Sequence, residues 1–226
     1  MSNISNIVDW SNPPVLESES FTETFAYDAL DRPTQMTLPD NSVYIPSYNE
    51  AGLLEGIDVK LKGAANSTNF VSNINYNEKG QREKIVYGNG AQTAYSYDEN
   101  NFRLLRILST RNAGADILQD INYTHDPIGN IVEVADNAQQ THFFQNAVVS
   151  PNSKYTYDAL YRILSGTGRE HAGAGQTSAS DYPINTPVPQ NNNAGVVVSY
   201  TQQYQYDALG NILKLIHQAS GNNWTR

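Results

Sequence analysis

Any chemistry in this chain must come from acids, tyrosines and histidines, because it has no Cys and only four His. The most repeated acid position follows an aromatic residue: Asp28, Asn49, Asn77, Asp98, Asp126, Asp158 and Asp207. Two carboxylates facing one another could hydrolyse a glycosidic bond. This position exchanges Asp for Asn, however, and an amide cannot replace a catalytic acid. The histidines, His125, His142, His171 and His217, show no HxH or HExxH spacing, so no zinc site is expected. The segments "GNG" at 88–90 and "GAG" at 173–175 lack the strand–helix setting of a phosphate loop. The residues predict no catalytic, cofactor or metal site, and the chain reads as a non-enzyme.

The repeated position instead marks a building unit. Placed in register on the aromatic, the segments are "YDALDR" at Tyr27, "YNEAGLL" at Tyr48, "YNEKGQR" at Tyr76, "YDENNFR" at Tyr97, "HDPIGNI" at His125, "YDALYRI" at Tyr157 and "YDALGNI" at Tyr206. The spacings are 21, 28, 21, 28, 32 and 49, the last two enlarged by insertion. A side chain at the Asp or Asn position can accept a hydrogen bond from the amide two residues on, which opens a type I turn. Three residues later stand Asp31, Gly52, Gly80, Asn101, Gly129, Tyr161 and Gly210. All but Tyr161 tolerate the positive φ that such a loop requires. The Tyr161 turn is therefore expected to bend differently or to carry strain.

Turns of this kind need strands on both sides. The flanks, such as "AQTAYSY", "QREKIVY" and "NILKLIHQ", are rich in Val, Ile, Thr and Tyr, as half-buried strands are. Ala91, Thr93, Tyr95 and Tyr97 share one face and Gln92, Ala94 and Ser96 the other. Aromatics two residues before the anchor (Phe25, Tyr95, Tyr123, Tyr155 and Tyr204) predict aromatic ladders across successive hairpins. A second turn type appears at "PDNS" 39–42 and "GNG" 88–90. The expected fold is all-β, an antiparallel meander over residues 21–218. Residues 1–20 read as an irregular lead-in, 219–226 as a tail, and about 165–195 as a flexible insertion rich in Gly, Ser, Asn and Pro.

Composition limits the partners. The net charge is −9, of which −8 lies in residues 1–60, and no basic patch appears, so nucleic acid is not an expected partner. Fifteen Tyr against 6 Phe and 2 Trp suit broad polar sheets rather than a greasy globule. No segment reaches the roughly 20 apolar residues of a membrane helix. The start, "MSNISNIVDWSNPP", has neither the basic nor the apolar region of a classical signal peptide.

The phased units resemble the YD repeats of the RHS family: a Tyr-Asp, two variable residues, then Gly followed by Arg or Asn, and an apolar residue. "YDALGNIL" carries the whole pattern. The stretch from "INYTHDPIGNIVEVADNAQQ" to "YTYDALYRILSGTGREHAG", followed by "YTQQYQYDALGNILKLIHQ", is similar to the shell portion of bacterial insecticidal toxin complexes. The resemblance implies a curved, spiralling sheet that forms part of a hollow shell around a toxin polypeptide. It also implies other shell segments or toxin-complex subunits as partners and a secreted, bacterial setting, while the free edges of an open sheet invite self-association. RHS self-cleavage uses an Asp-Pro element like "HDPIGN" at 125–130. Here it lies in register with the other turns, and Pro127 sits where a type I turn favours proline, so it reads as a turn. Family shells are several times longer, so the chain is expected to be a fragment or a short relative. The other function carried by the residues is an extracellular β-repeat module that binds carbohydrate, stacked on its tyrosines, or a cell surface.

Overall fold

The structure, a computed structural model, describes residue 11, residues 18–172 and residues 196–226. The lead-in and most of the expected insertion, 173–195, lie largely outside the described residues. The chain divides into two compact units, Met1–Ser72 and Asn73–Arg226.

The first unit pairs its strands in chain order, each antiparallel to the one before. They are β1 (Thr24–Tyr27), β2 (Pro33–Thr37), β3 (Val43–Tyr48), β4 (Leu54–Lys60) and the start of β5 (Thr68–Tyr76). In the second unit β6 (Arg82–Tyr87), β7 (Gln92–Tyr97), β8 (Leu104–Arg111), β9 (Asp116–His125) and β10 (Ile131–Asp136) continue the same pattern. A small hairpin of β11 (His142–Phe144) and β12 (Ala147–Val149) then leaves the meander as a separate two-stranded sheet. β10 pairs onward with β13 (Ser153–Tyr157), followed by β14 (Ile163–His171), β15 (Val197–Tyr206), β16 (Ile212–Ala219) and β17 (Trp224–Thr225).

The strands form where expected, with two differences. β14 runs to His171, so seven residues at the start of the expected insertion, 165–171, belong to a strand. They pair in unbroken register with β15, from Ser165↔Gln203 to His171↔Val197. The glycines that suggested a loop make room for rings. A Cβ on Gly168 would lie 2.6 Å from the Tyr200 hydroxyl, and one on Gly166 3.4 Å from the Tyr155 ring. The expected tail holds β17, which pairs Trp224 with His217.

A feature absent from the sequence reading recurs beside the anchors. The register shifts by one residue between Ala26 and Tyr27, Ser47 and Tyr48, Ser96 and Tyr97, Thr156 and Tyr157, and Gln205 and Tyr206. The extra residue always sits on the outgoing strand: Thr34, Glu55, Leu105, Leu164 and Leu213. The His125 hairpin repeats it with Val132. A bulge bends its strand and raises the local twist, so each of these six hairpins is bent at the same place.

The core is thin. Among the described residues the buried apolar side chains are Val59, Ile74, Ile85, Val149 and Val198. Polar pairs cross the strands instead, including Thr93 with Ser109 at 2.9 Å and Thr156 with Ser165 at 2.6 Å.

Candidate functional site: a row of tyrosine-anchored turns

The repeated turn is built from one carboxylate. Asp158 Oδ1 accepts the N–H of Leu160 at 2.8 Å and of Arg162 at 2.9 Å. Asp28 does the same with Leu30 and Arg32, and Asp207 with Leu209 and Asn211. Asp126 accepts from Ile128, Gly129 and Asn130. Asn77 uses its amide oxygen on Lys79 and Gln81, and Asn49 on Leu53. The backbone closes around it: Asp158 N–H donates to Arg162 O at 2.9 Å and Tyr161 N–H to Asp158 O at 3.0 Å. The same pair of bonds recurs at Asp28, Asn49, Asn77, Asp126 and Asp207.

The residue four places on bonds the other side-chain atom, a role the sequence reading missed. Arg32 Nε donates to Asp28 Oδ2 and Arg162 Nε to Asp158 Oδ2, both at 2.7 Å. Asn130 and Asn211 reach Asp126 and Asp207 with their amides at 2.8 Å. Where the cap is Asn77, the polarity reverses, and Asn77 Nδ2 donates to Gln81 Oε1 at 3.0 Å. The signal was present: an Arg, Asn or Gln five residues after the aromatic. These bonds hold the carboxyls below the usual carboxylate range, chiefly through backbone N–H bonds from Arg32 at Asp28 and Arg162 at Asp158, and through the side-chain amides at Asp126 and Asp207.

The anchor tyrosines tie neighbouring turns together. Tyr48 donates its hydroxyl to Pro33 O at 2.9 Å, Tyr97 to Arg82 O at 2.8 Å, Tyr157 to Ile131 O at 2.7 Å and Tyr206 to Ile163 O at 2.8 Å. In each case the acceptor lies five residues after the cap of an earlier turn. The Arg32 guanidinium lies 4.7 Å over the Tyr48 ring, and Arg162 4.7 Å over Tyr206. The expected ring-on-ring ladder is replaced at these hairpins by hydroxyl-to-carbonyl links. Neighbouring turns are two strands apart, about 10 Å, beyond ring contact. Phe25 and Tyr27, within one strand, do stack at 6.3 Å.

The residue that follows the loop adds a second strut, four places after the cap at Gln81 and Arg162 and five places after it at Arg103, in the longer Asp98 loop. Gln81 Nε2 donates to Phe102 O at 2.9 Å, Arg162 Nη1 to Asp207 O at 3.3 Å, and Arg103 to Asp126 O and Ile128 O at 3.2 and 2.6 Å. Arg103 thus reaches the one turn whose anchor is His125 and has no hydroxyl to give. Gly129 admits it, with φ +116° and an absent Cβ that would lie 2.7 Å from the guanidinium.

Two turns differ from expectation. At Asp98 the loop holds one more residue: Phe102 N–H donates to Asp98 O, and positive φ falls on Phe102, not Asn101. The Tyr161 turn has the same bonds as its neighbours and takes φ +63°. It carries strain without bending differently.

No protein-family profile matches the chain. It is 37% identical over 185 residues to Toxin subunit YenC2 of Yersinia entomophaga, covering 79% of this chain and 19% of that protein. It is 34% identical over 213 residues to Toxin subunit YenC1 of the same organism, covering 92% and 21%. The chain is homologous to these toxin subunits. It spans about a fifth of their length. Among solved structures, the crystal structure of TcdB2-TccC3 matches 92% of this chain and 10% of its own, with TM-score 0.77 and 32% identity. The Photorhabdus luminescens Tc holotoxin pore matches 91% and 9%, with TM-score 0.75 and 34% identity. The YD-repeat resemblance therefore holds: the matched region is the RHS portion of Tc toxins.

For this toxin-subunit homologue, the other group with chemical potential is His217, 3% exposed. It lies flat on Trp224, with ring centres 4.8 Å apart, and against Tyr200 at 5.1 Å. Its Nε2 is 3.0 Å from Glu170 Oε2, and Asn222 Nδ2 donates to Glu170 Oε1 at 3.0 Å. Trp224 stacks on the imidazole and Tyr200 packs against it, so the cluster fastens β17 to β16. Among the described residues no three His, Asp or Glu converge as a metal site, and no helix is long and apolar enough to cross a membrane.

Proposed function

We propose that this chain is a non-catalytic segment of the wall of an RHS-type toxin shell, which encloses a toxin polypeptide and helps deliver it. The observation that carries the reading is the row of turns. Each turn is locked by its own cap and bonded to a neighbour through a tyrosine hydroxyl or the side chain four or five places after a cap, while the hydrophobic core stays thin. Such a lattice stiffens a sheet along its edge and contributes no reactive group.

The solved relatives support the enclosing role. One is TcdB2-TccC3 without hypervariable C-terminal region, which matches 97% of this chain at TM-score 0.77. Another is TcdB2-TccC3-Cdc42, matching 92% at the same score. Both keep the fold of this segment, as an inert container would. Other shell segments and toxin-complex subunits are its partners, and it acts outside the bacterial cell. The test is protease protection in the whole gene product. A polypeptide fused after the repeats survives digestion until the wall is denatured. Digestion of that polypeptide at the rate seen for the free polypeptide overturns the reading.

A further inference from the structure

Neighbouring strands of a meander need only a turn of about two to five residues between them. β10 and β13 are neighbours, yet residues 137–152 lie between them and include the β11–β12 hairpin. The seam that this detour interrupts is short. β10 and β13 join only through Glu133↔Lys154 and Val134↔Ser153. The other seams between hairpins of the second unit are longer: β6–β7 over Lys84–Val86, β8–β9 over Arg106–Arg111 and β14–β15 over Ser165–His171. Beside the short ladder, Asn152 Nδ2 donates to Glu133 Oε1 at 3.1 Å, and at the turn end the Tyr157 hydroxyl bonds Ile131 O.

Residues 137–152 form a strap tied on both sides of this seam. On the β9 side, Asn137 N–H donates to Asp120 O at 2.9 Å. On the other side, Arg169 of β14 donates to Gln140 O at 3.0 Å and to Gln139 Oε1 at 3.1 Å. The hairpin turns at Gln145 and Asn146, both with positive φ. Its tip reaches the β16–β17 turn, where Ser220 Oγ donates to Gln145 Oε1 at 2.8 Å. Val149, 1% exposed, is the apolar anchor. The rest of the seat is loose. Phe143 and Val148, paired across the hairpin, are exposed. A cavity of about 370 Å³ lies between Val148, Ser150 and Asn152 of the strap and Thr167, Ser199 and Thr201 of the sheet, and its hydroxyl lining admits water.

We propose that the strap is a releasable latch and the β10–β13 seam a hinge. Seated, the strap spans the seam from β9 to β14 and to the β16–β17 turn, and both sides move together. Lifted, it leaves the short ladder and the Tyr157 bond, so the sheet opens there while the hairpins on either side stay folded. The length of the strap allows this: residues 137–152 reach about 50 Å when extended, so the two sides part without breaking the chain. Its bonds to Arg169 and Ser220 are exposed, and regions held by exposed bonds and few apolar contacts open first. The latch holds whether or not the sheet closes a shell.

Amide exchange in the whole gene product, read residue by residue, tests it. Arg169→Ala and Ser220→Ala release the strap at two separate points, and Arg111→Ala, which removes an exposed ion pair with Asp116, is the control. Each strap variant should speed exchange about tenfold in residues 137–152 and equally in the facing amides of β10 and β13. β14 and β15 should keep the wild-type rate, and Arg111→Ala should leave the seam unchanged. Arg169 lies within β14, so Ser220→Ala decides where the two variants differ. Faster exchange confined to the strap, with the seam at the wild-type rate, overturns the latch. Equal acceleration of β14 and β15 with Ser220→Ala overturns the hinge, because the sheet then loosens as a whole. A strap unaffected by both variants overturns the latch as well.

Discussion

Tyr206 donates its hydroxyl to the carbonyl of Ile163, 43 residues earlier, at 2.8 Å. That bond joins the Asp207 turn to the Asp158 turn, and Tyr157 with Ile131 repeats it one hairpin earlier. Tyr206→Phe keeps the ring under Arg162 and removes only the hydroxyl. The expected loss is about 0.5–1.5 kcal/mol, read from the urea midpoint. Tyr97→Phe lies in a separate hairpin, so the two losses should add. An unchanged midpoint in both would show that the hydroxyl links do not stabilise the sheet.

Tyr161 takes φ +63° in a turn where most others have Gly. A side chain in that region costs about 1–2 kcal/mol, and the Tyr161 side chain is mostly exposed. Tyr161→Gly should therefore raise the melting temperature, offset in part by the greater freedom of the unfolded glycine. A fall in melting temperature would mean that the Tyr161 ring makes contacts worth more than the strain.

Asp158 serves two partners through two oxygens: backbone N–H groups through Oδ1 and the Arg162 guanidinium through Oδ2. Asp158→Asn keeps the first set and weakens the second. Asp158→Ala loses both. The order of stability should be wild type, then Asn, then Ala, with Arg162→Ala close to Asp158→Asn. Equal midpoints for the Asn and Ala variants would contradict the cap.

Asp28, Asp98, Asp126, Asp158 and Asp207 all sit below the ordinary value of 3.8 because the folded turn bonds their charged form. A depressed carboxyl adds stability above its unfolded value, and that stability disappears as pH falls through the folded value. Their contribution should be constant from neutral pH down to the ordinary carboxylate value and lost below it. Urea midpoints against pH check this. A loss centred above pH 5 would assign the acid response to other groups.

Gly168→Ala places a Cβ 2.6 Å from the Tyr200 hydroxyl. Overpacking of this kind costs about 1–3 kcal/mol. Tyr200→Leu should relieve it, so the double variant is more stable than the sum of the single effects. Simple additivity would show that the glycine is not kept for the ring.

The turns were legible because each is specified within six residues: the aromatic, the Asp or Asn and, in most copies, a Gly are all local. The links between turns were not, because Tyr206 and Ile163 meet only once the strands pair. The Asp98 loop misled for a related reason. Its extra residue moved Arg103 to the place Arg162 holds at Asp158, so Asn101 looked like the positive-φ position. Gly166 and Gly168 read as loop residues because composition cannot see that a tyrosine ring lies across each of them. The bulges left no consistent mark, since Leu105, Val132, Leu164 and Leu213 are aliphatic but Thr34 and Glu55 are not.

The enclosing wall is tested most directly by electron microscopy of the whole gene product that contains this segment. A particle with a closed, hollow interior, with these hairpins in its wall, is the predicted result. A solid particle, or an extended chain of hairpins without an interior, would contradict it.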